Sequence, residues 1–224
     1  MKDKKYDGTR YDINGKIIYI LSNRNNGFGI EYDDKENFLL YEGRYLNGKR
    51  NEYGKEYYNN GKLKFIGAYR NIKKWEGKGY DRRNKVVYKL KNGAGLVKEY
   101  NKMNFITFEG EYANGEKNGK GKEYRYNGKS NILKYEGEYL NGKRNGRGKK
   151  YNKDGELKFE GLYLYGFKLK GKLYVNNRIE YDGNFLYDKK WNGKEYDELG
   201  NVIYEIINGK FKAKEDNYNE GFKY

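Results

Sequence analysis

The sequence predicts an all-β protein, an elongated and twisted antiparallel β-hairpin solenoid. Three observations predict it: glycine-punctuated repetition, a two-residue aromatic alternation, and recurring tight-turn dipeptides. The clearest copy of the repeat runs Tyr135-Glu136-Gly137-Glu138-Tyr139-Leu140-Asn141-Gly142-Lys143-Arg144-Asn145-Gly146-Arg147-Gly148-Lys149-Lys150-Tyr151. Phe108 to Tyr124 matches it, with Gly110, Tyr112, Gly115, Gly119 and Gly121 at the same spacings. Tyr41 to Tyr57 keeps Gly43, Tyr45, Gly48 and Gly54 but has Glu52 where Gly146 stands. Degenerate copies at 16–32, 65–81, 84–100, 159–174, 181–196 and 202–209 bring the count to about nine repeats of 21 to 27 residues, in a single array over 1–224.

Each repeat reads as two strands. In the first, a period of two places Tyr135, Gly137 and Tyr139 on one face and Glu136 and Glu138 on the other. Phe108-Gly110-Tyr112, Phe159-Gly161-Tyr163 and Tyr181-Gly183-Phe185 carry the same aromatic-glycine-aromatic face. Asn47-Gly48 and Asn141-Gly142 inside repeats, and Asn60-Gly61 and Asp154-Gly155 between them, suit the positive φ of tight hairpin turns. The second strand follows each inner turn. No apolar 3.6-residue period survives glycines this frequent, and the absence of Pro is compatible with unbroken pairing. Two strands per repeat give roughly 9–10 Å each, so the array would extend roughly 80–90 Å. Lys2, Lys4 and Lys5 near one end, and Lys210, Lys212 and Lys214 near the other, would blunt its exposed strand edges.

Composition alone points the other way. Leu, Ile, Val and Phe total only 44 of 224 residues, and 48 Lys plus Arg against 32 Asp plus Glu leave a charge of +16, at the border of disorder. Yet 28 Tyr and 10 Phe lift aromatics to 18%. Each buried ring removes roughly 150–250 Å² from water, so the core is expected to be built from Tyr and Phe. The lack of Cys excludes disulfides and thiolate metal sites, and the lack of His removes the commonest general base and metal ligand. No metal and no cofactor is expected. The longest apolar run, Ile17 to Leu21, falls far short of the roughly 20 residues that span a bilayer. Met1-Lys2-Asp3-Lys4-Lys5 leads into Tyr6-Asp7-Gly8 and not into the apolar stretch of a secretory signal. A cytoplasmic protein is expected, neither secreted nor transmembrane, with the membrane or cytoskeletal periphery within its reach.

The pattern Tyr-x-Gly-x-Tyr-x-x-Gly-x-x-x-Gly-x-Gly, complete at Tyr135 to Gly148 and with Phe first at Phe108 to Gly121, resembles the MORN repeat (membrane occupation and recognition nexus). Tyr57-Tyr58-Asn59-Asn60-Gly61-Lys62-Leu63 also resembles the MORN-like variant of some bacterial antitoxin-type proteins. The resemblance implies an elongated all-β array with an aromatic-lined groove, and non-catalytic roles: scaffolding, partner binding, dimerisation and association with acidic phospholipids. In family members with enzymatic activity, a separate domain does the chemistry, and the repeats here occupy nearly the whole chain.

Catalytic readings are weak. Gly137-x-x-x-x-Gly142-Lys143 and Gly43-x-x-x-x-Gly48-Lys49 begin like a phosphate-binding P-loop, but Arg144 and Arg50 stand where a Ser or Thr must hold magnesium, and the glycines belong to a repeated hairpin. The carboxylate pairs Glu109/Glu111 and Glu136/Glu138 recur, as structural devices do, and Lys122, Arg147 and Lys149 are their expected cross-strand partners. Ser22, Ser130, Thr9 and Thr107 have no His to activate them. No enzyme is expected.

Two candidate surfaces remain. Tyr45, Tyr112, Tyr139, Tyr163 and Phe185 would line the core or an open groove. Lys49, Arg50, Lys117, Lys143, Arg144 and Arg147 would project from successive turns as a ladder of positive charge able to bind acidic phospholipid or a partner. Nucleic acid fits less well, because acidic residues occupy every well-formed first strand. The leading expectation is a scaffold that binds a protein partner through its groove, or a second copy of itself through the array ends. The alternatives are a peripheral module for acidic phospholipid and an antitoxin-like neutraliser of a partner protein.

Overall fold

A computed structural model describes residues 8–11, 15, 17–21, 26–33, 35–36 and 38–213. Lys2, Lys4, Lys5 and Lys214 lie outside the described residues. Within them the protein is all-β, as expected, with strands in antiparallel sheets and no helix.

The chain divides into two compact units, residues up to 131 with 139–142, and residues 132–138 with 143 onward. The first holds β1 (Gly8–Tyr11), β2 (Ile17–Leu21), β3 (Gly27–Tyr32), β4 (Leu39–Leu46), β5 (Lys49–Tyr57), β6 (Leu63–Arg70), β7 (Lys73–Tyr80) and β8 (Val86–Leu90), paired in sequence order. It continues with β9 (Gly95–Tyr100), β10 (Ile106–Ala113) and β11 (Glu116–Tyr126), also neighbours in order. The second holds most of β12 (Asn131–Leu140), then β13 (Lys143–Tyr151), β14 (Leu157–Leu164), β15 (Phe167–Val175), β16 (Arg178–Leu186), β17 (Lys189–Tyr196), β18 (Val202–Ile207) and β19 (Lys210–Ala213). Lys210 and Lys212 do sit on a terminal strand of the sheet, where the sequence placed them.

Register explains why glycine recurs. Gly29 faces Gly43, Gly43 faces Gly54, Gly54 faces Gly67 and Gly67 faces Gly77, so one glycine row crosses the sheet. Gly148, Gly161, Gly171, Gly183 and Gly193 form the same row in the second unit. The first aromatic of each repeat lies flat on that row: a Cβ added to Gly54 would stand 2.2 Å from the Tyr41 hydroxyl, and one on Gly148 2.3 Å from that of Tyr135. Tyr41, Phe65, Phe108, Tyr135, Phe159 and Tyr181 are consequently fully buried. The second aromatic packs edge-on against these rings, Tyr69 at 5.3 Å from Tyr41 and 5.5 Å from Phe65, Tyr163 at 5.3 Å from Tyr135 and 5.2 Å from Phe159. The core is thus a row of T-shaped aromatic contacts, which are favourable beyond the area they bury.

The turns are of two kinds. Inside repeats, Asn47-Gly48, Asn92-Gly93, Asn114-Gly115, Asn141-Gly142 and Asn208-Gly209 all have both residues at positive φ, the tight turn that Asn-Gly favours. Their second amides tie neighbouring hairpins together, Gly115 N donating to Gly93 O and Gly142 N to Lys117 O, each at 2.9 Å. Between repeats the expectation of the same tight turn is corrected. Asn60-Gly61 and Asp154-Gly155 sit inside longer loops in which only the glycine has positive φ. In those loops an Asx side chain accepts the amides: Asn152 Oδ1 binds Asp154 N at 2.9 Å and Glu156 N at 3.0 Å, and Asp81, Asn101 and Asp197 do likewise.

Candidate functional site

The residue two places after six of the inner turns is a cation, and alternation along the strand aims it back over the ring of its own hairpin. Arg50 lies 4.2 Å from the centroid of Tyr41, Lys74 4.9 Å from Phe65, Lys117 4.0 Å from Phe108 and Arg144 4.2 Å from Tyr135. Lys168 lies 5.7 Å from Phe159 and Lys190 5.4 Å from Tyr181. A cation over a ring face is attracted by the ring quadrupole, more strongly as water is excluded.

In three of these hairpins a carboxylate completes the arrangement from the preceding strand, directly opposite the ring in register. Glu31 faces Tyr41, Glu56 faces Phe65 and Glu99 faces Phe108. Glu31 pairs with Arg50 at 2.9 Å, Glu56 with Lys74 at 2.9 Å and Glu99 with Lys117 at 3.2 Å. The hydroxyls of Tyr45 and Tyr112 donate to Glu31 and Glu99, and that of Tyr139 to Glu123 at 2.8 Å. Burial pushes the Glu56 carboxyl up, but the charges of Lys74, Arg50 and Lys64 outweigh it and hold the pKa at about 2. The sequence signal for this carboxylate was the Glu two residues beyond a row glycine, as in Gly54-Lys55-Glu56 and Gly121-Lys122-Glu123.

The acids singled out from the sequence have other partners. Tyr124 donates to Glu109 and Tyr151 to Glu136, each at 2.6 Å. Glu138 accepts the backbone amide of Arg147 at 2.8 Å, not its guanidinium, and Glu111 accepts that of Lys120 at 3.2 Å. Lys149 pairs with Glu160 at 3.2 Å. Of the expected cross-strand pairs, Glu109 and Lys122 stand opposite each other.

The expected basic ladder divides in two. Lys49, Lys143 and Arg147 are exposed, whereas Arg50, Lys117 and Arg144 are half-buried over their rings. The physical reason is the strand's period of two, which sends adjacent residues to opposite sides. Of the two readings of the aromatic face, core or open groove, the side chains take the core: Tyr45, Tyr139, Tyr163 and Phe185 are buried, and Tyr112 is half-buried.

The first unit contains one irregularity in the glycine row. Leu90 stands opposite Gly77, and Val97 opposite Gly110. These branched side chains are buried where the other hairpins have facing glycines, and β8 and β9 end different sheets, touching through the Lys91–Ala94 bridge. Tyr88 lies instead against Gly79, stacked 6.3 Å from Phe65. A cavity of about 240 Å³ results, lined by Tyr58, Lys64, Tyr80, Tyr88, Tyr100 and Tyr112 among others. Tyr58 opens a between-repeat loop in place of an Asx residue, and its hydroxyl donates to Tyr80 O at 2.8 Å.

The second unit departs from the repeat at two hairpin tips. Where other inner turns open with Asn, these open with Tyr165 at φ 49° and Tyr187 at φ 47°. A bulky residue in the left-handed region is uncommon, because its Cβ crowds the backbone. Both rings stand in solvent, 61% and 74% exposed. Phe167, also exposed, meets Tyr187 edge-on at 5.8 Å, and exposed Leu164 and Leu186 flank them. Sequence reading passed over this patch; its signal was Tyr165-Gly166 and Tyr187-Asp188 where the pattern calls for Asn-Gly.

Fold and register together define a protein built of repeated antiparallel β-hairpins. The MORN repeat family model matches the chain three times, at residues 41–62, 108–130 and 135–156. Repeats of this kind are non-catalytic and generally serve protein or membrane interactions. No curated protein matches the chain. No helix among the described residues is long and apolar enough to cross a membrane.

Proposed function

We propose that this chain is a non-enzymatic, cytoplasmic scaffold protein that binds an acidic protein partner through the hairpin tips of its second unit. The observation that carries the reading is the placement of Tyr165 and Tyr187 at strained turn positions with their rings in solvent. Strained backbone persists where something besides stability selects it, and Tyr is enriched among the residues that dominate protein interfaces. The exposed Phe167, Leu164 and Leu186 extend the same patch. A charge of +16 favours an acidic partner through steering and complementarity. A photo-crosslinking residue at position 167 is expected to capture that partner, whereas the same residue at Lys129, in an exposed between-repeat loop, is expected to capture none; equal labelling from both positions would overturn the assignment.

A second reading rests on the exposure of Lys49, Lys143 and Arg147. Each cation near an anionic bilayer contributes about 1 kcal/mol, so these three support acidic-phospholipid binding. Flotation with vesicles containing phosphatidylserine tests it: reversal of all three to Glu should abolish flotation, and unchanged flotation removes this reading. Pairing of two copies through the edge of β1 or β19 is a further route to assembly, and a mass measurement in solution distinguishes it.

A further inference from the structure

We propose that Lys150 and Lys168 form an oxyanion site above Phe159, built to take a carboxylate from another molecule where three first-unit hairpins supply their own. In the first unit the rule is regular. The residue opposite the buried ring is a glutamate, and the cation over that ring pairs with it: Glu31 with Arg50 over Tyr41, Glu56 with Lys74 over Phe65, Glu99 with Lys117 over Phe108. Phe159 has the cation, because Lys168 lies over its ring. Opposite Phe159 in register, however, stands Lys150.

Relative to those three hairpins the swap reverses the charge of that position; around Tyr181 the same position is Leu173, which carries no charge. Glu56 and Lys74 lie 2.9 Å apart around Phe65. The equivalent positions around Phe159 both carry ammonium groups. Among the described residues no carboxylate forms an ion pair with Lys150, and Lys168 reaches only Asp188, at 3.7 Å, on an exposed hairpin tip. Lys168 itself is largely buried, between the rings of Phe159 and Phe185. Burial, and then the nearby charges of Lys168 and Arg144, lower the pKa of Lys150, against the opposing pull of Asp188.

An anion placed between the two ammonium groups would occupy the place that a glutamate side chain fills elsewhere. The template is therefore a carboxylate, with a phosphate oxyanion sharing its charge and donors. This inference stands independently of the tip patch, and it supplies a charge-reading element to whatever partner docks on this unit.

The test is thermal unfolding at constant ionic strength, with glutarate and inorganic phosphate as probes and chloride as reference. Wild type should gain stability saturably with glutarate. Lys150→Glu restores the pattern of the three first-unit hairpins, so without any probe its Tm should rise by roughly 2–4 °C, and its response to glutarate should vanish. Lys150→Met should also lose the response, and Lys153→Glu, in an exposed loop, should keep it. A Lys150→Glu protein that melts below wild type, or that still responds to glutarate as wild type does, overturns the proposal. A saturable response to phosphate with none to glutarate contradicts the carboxylate assignment.

Discussion

Glu56 shows how much a single position of the repeat carries. Its carboxyl is held at about 2, below the ordinary 4.5, so the folded state binds its proton less readily than the unfolded chain does. The stabilisation is therefore present above the ordinary pKa and is lost as pH falls from about 4.5 towards 2. A shift of this size corresponds to an effect of order 3 kcal/mol. Glu56→Gln should lower stability at pH 7 and flatten the acid limb over that window, measured by urea denaturation at a series of pH values. An acid limb as steep as that of wild type would contradict the assignment. Gly54 makes the complementary point about shape: Gly54→Ala puts a methyl group against the fully buried Tyr41 ring and should cost roughly 1–3 kcal/mol, read as a shift in the urea midpoint.

At the scale of the hairpin, legibility depended on whether a position repeats. The alternation Tyr135-Gly137-Tyr139 places the core directly, and Asn141-Gly142 places the turn, because period and turn chemistry are local properties of the chain. Which of two adjacent basic residues turns inward was not legible in the same way. Lys143 and Arg144 look alike in sequence, and only the register over Tyr135 separates the exposed one from the one on the ring. Whether the aromatic face is core or groove was open in the sequence for a related reason: Tyr45 and Tyr163 belong to rows of edge-on contacts between neighbouring hairpins, a long-range packing that no single repeat discloses. The irregularity at β8 and β9 was visible only as a degenerate copy at 84–100. If Leu90 and Val97 hold these strands apart, then Leu90→Gly with Val97→Gly should let them pair. Hydrogen exchange at the amides of Lys89 and Lys98 should slow in the double variant, and unchanged exchange would show that another feature keeps the gap open.

For the molecule as a whole, the repeat separates what builds the fold from what is free to vary. Rings, cations and carboxylates close on one another and leave little for a ligand, so function is expected where the pattern is broken: at Tyr165 and Tyr187, and at Lys150. The excess positive charge changes meaning accordingly. Part of it is internal, spent against rings and glutamates, and the remainder faces solvent at positions such as Lys49, Lys143 and Arg147. The sequence disclosed the repeats and their all-β fold. It did not disclose the proposed binding face, because a departure from a pattern acquires a location only once neighbouring tips are placed side by side.

The most direct test replaces the two exposed tyrosines with the residue that the other turns use. Tyr165→Asn with Tyr187→Asn relieves the left-handed strain, so the variant should fold and gain up to roughly 1 kcal/mol. The measurement is quantitative affinity capture from the cells that make the protein, comparing wild type, this variant, and a variant with Lys49, Lys143 and Arg147 changed to Glu. The account predicts a partner that wild type and the charge-reversed variant retain and that the tyrosine variant loses. Retention of the same partner by the folded tyrosine variant would contradict it.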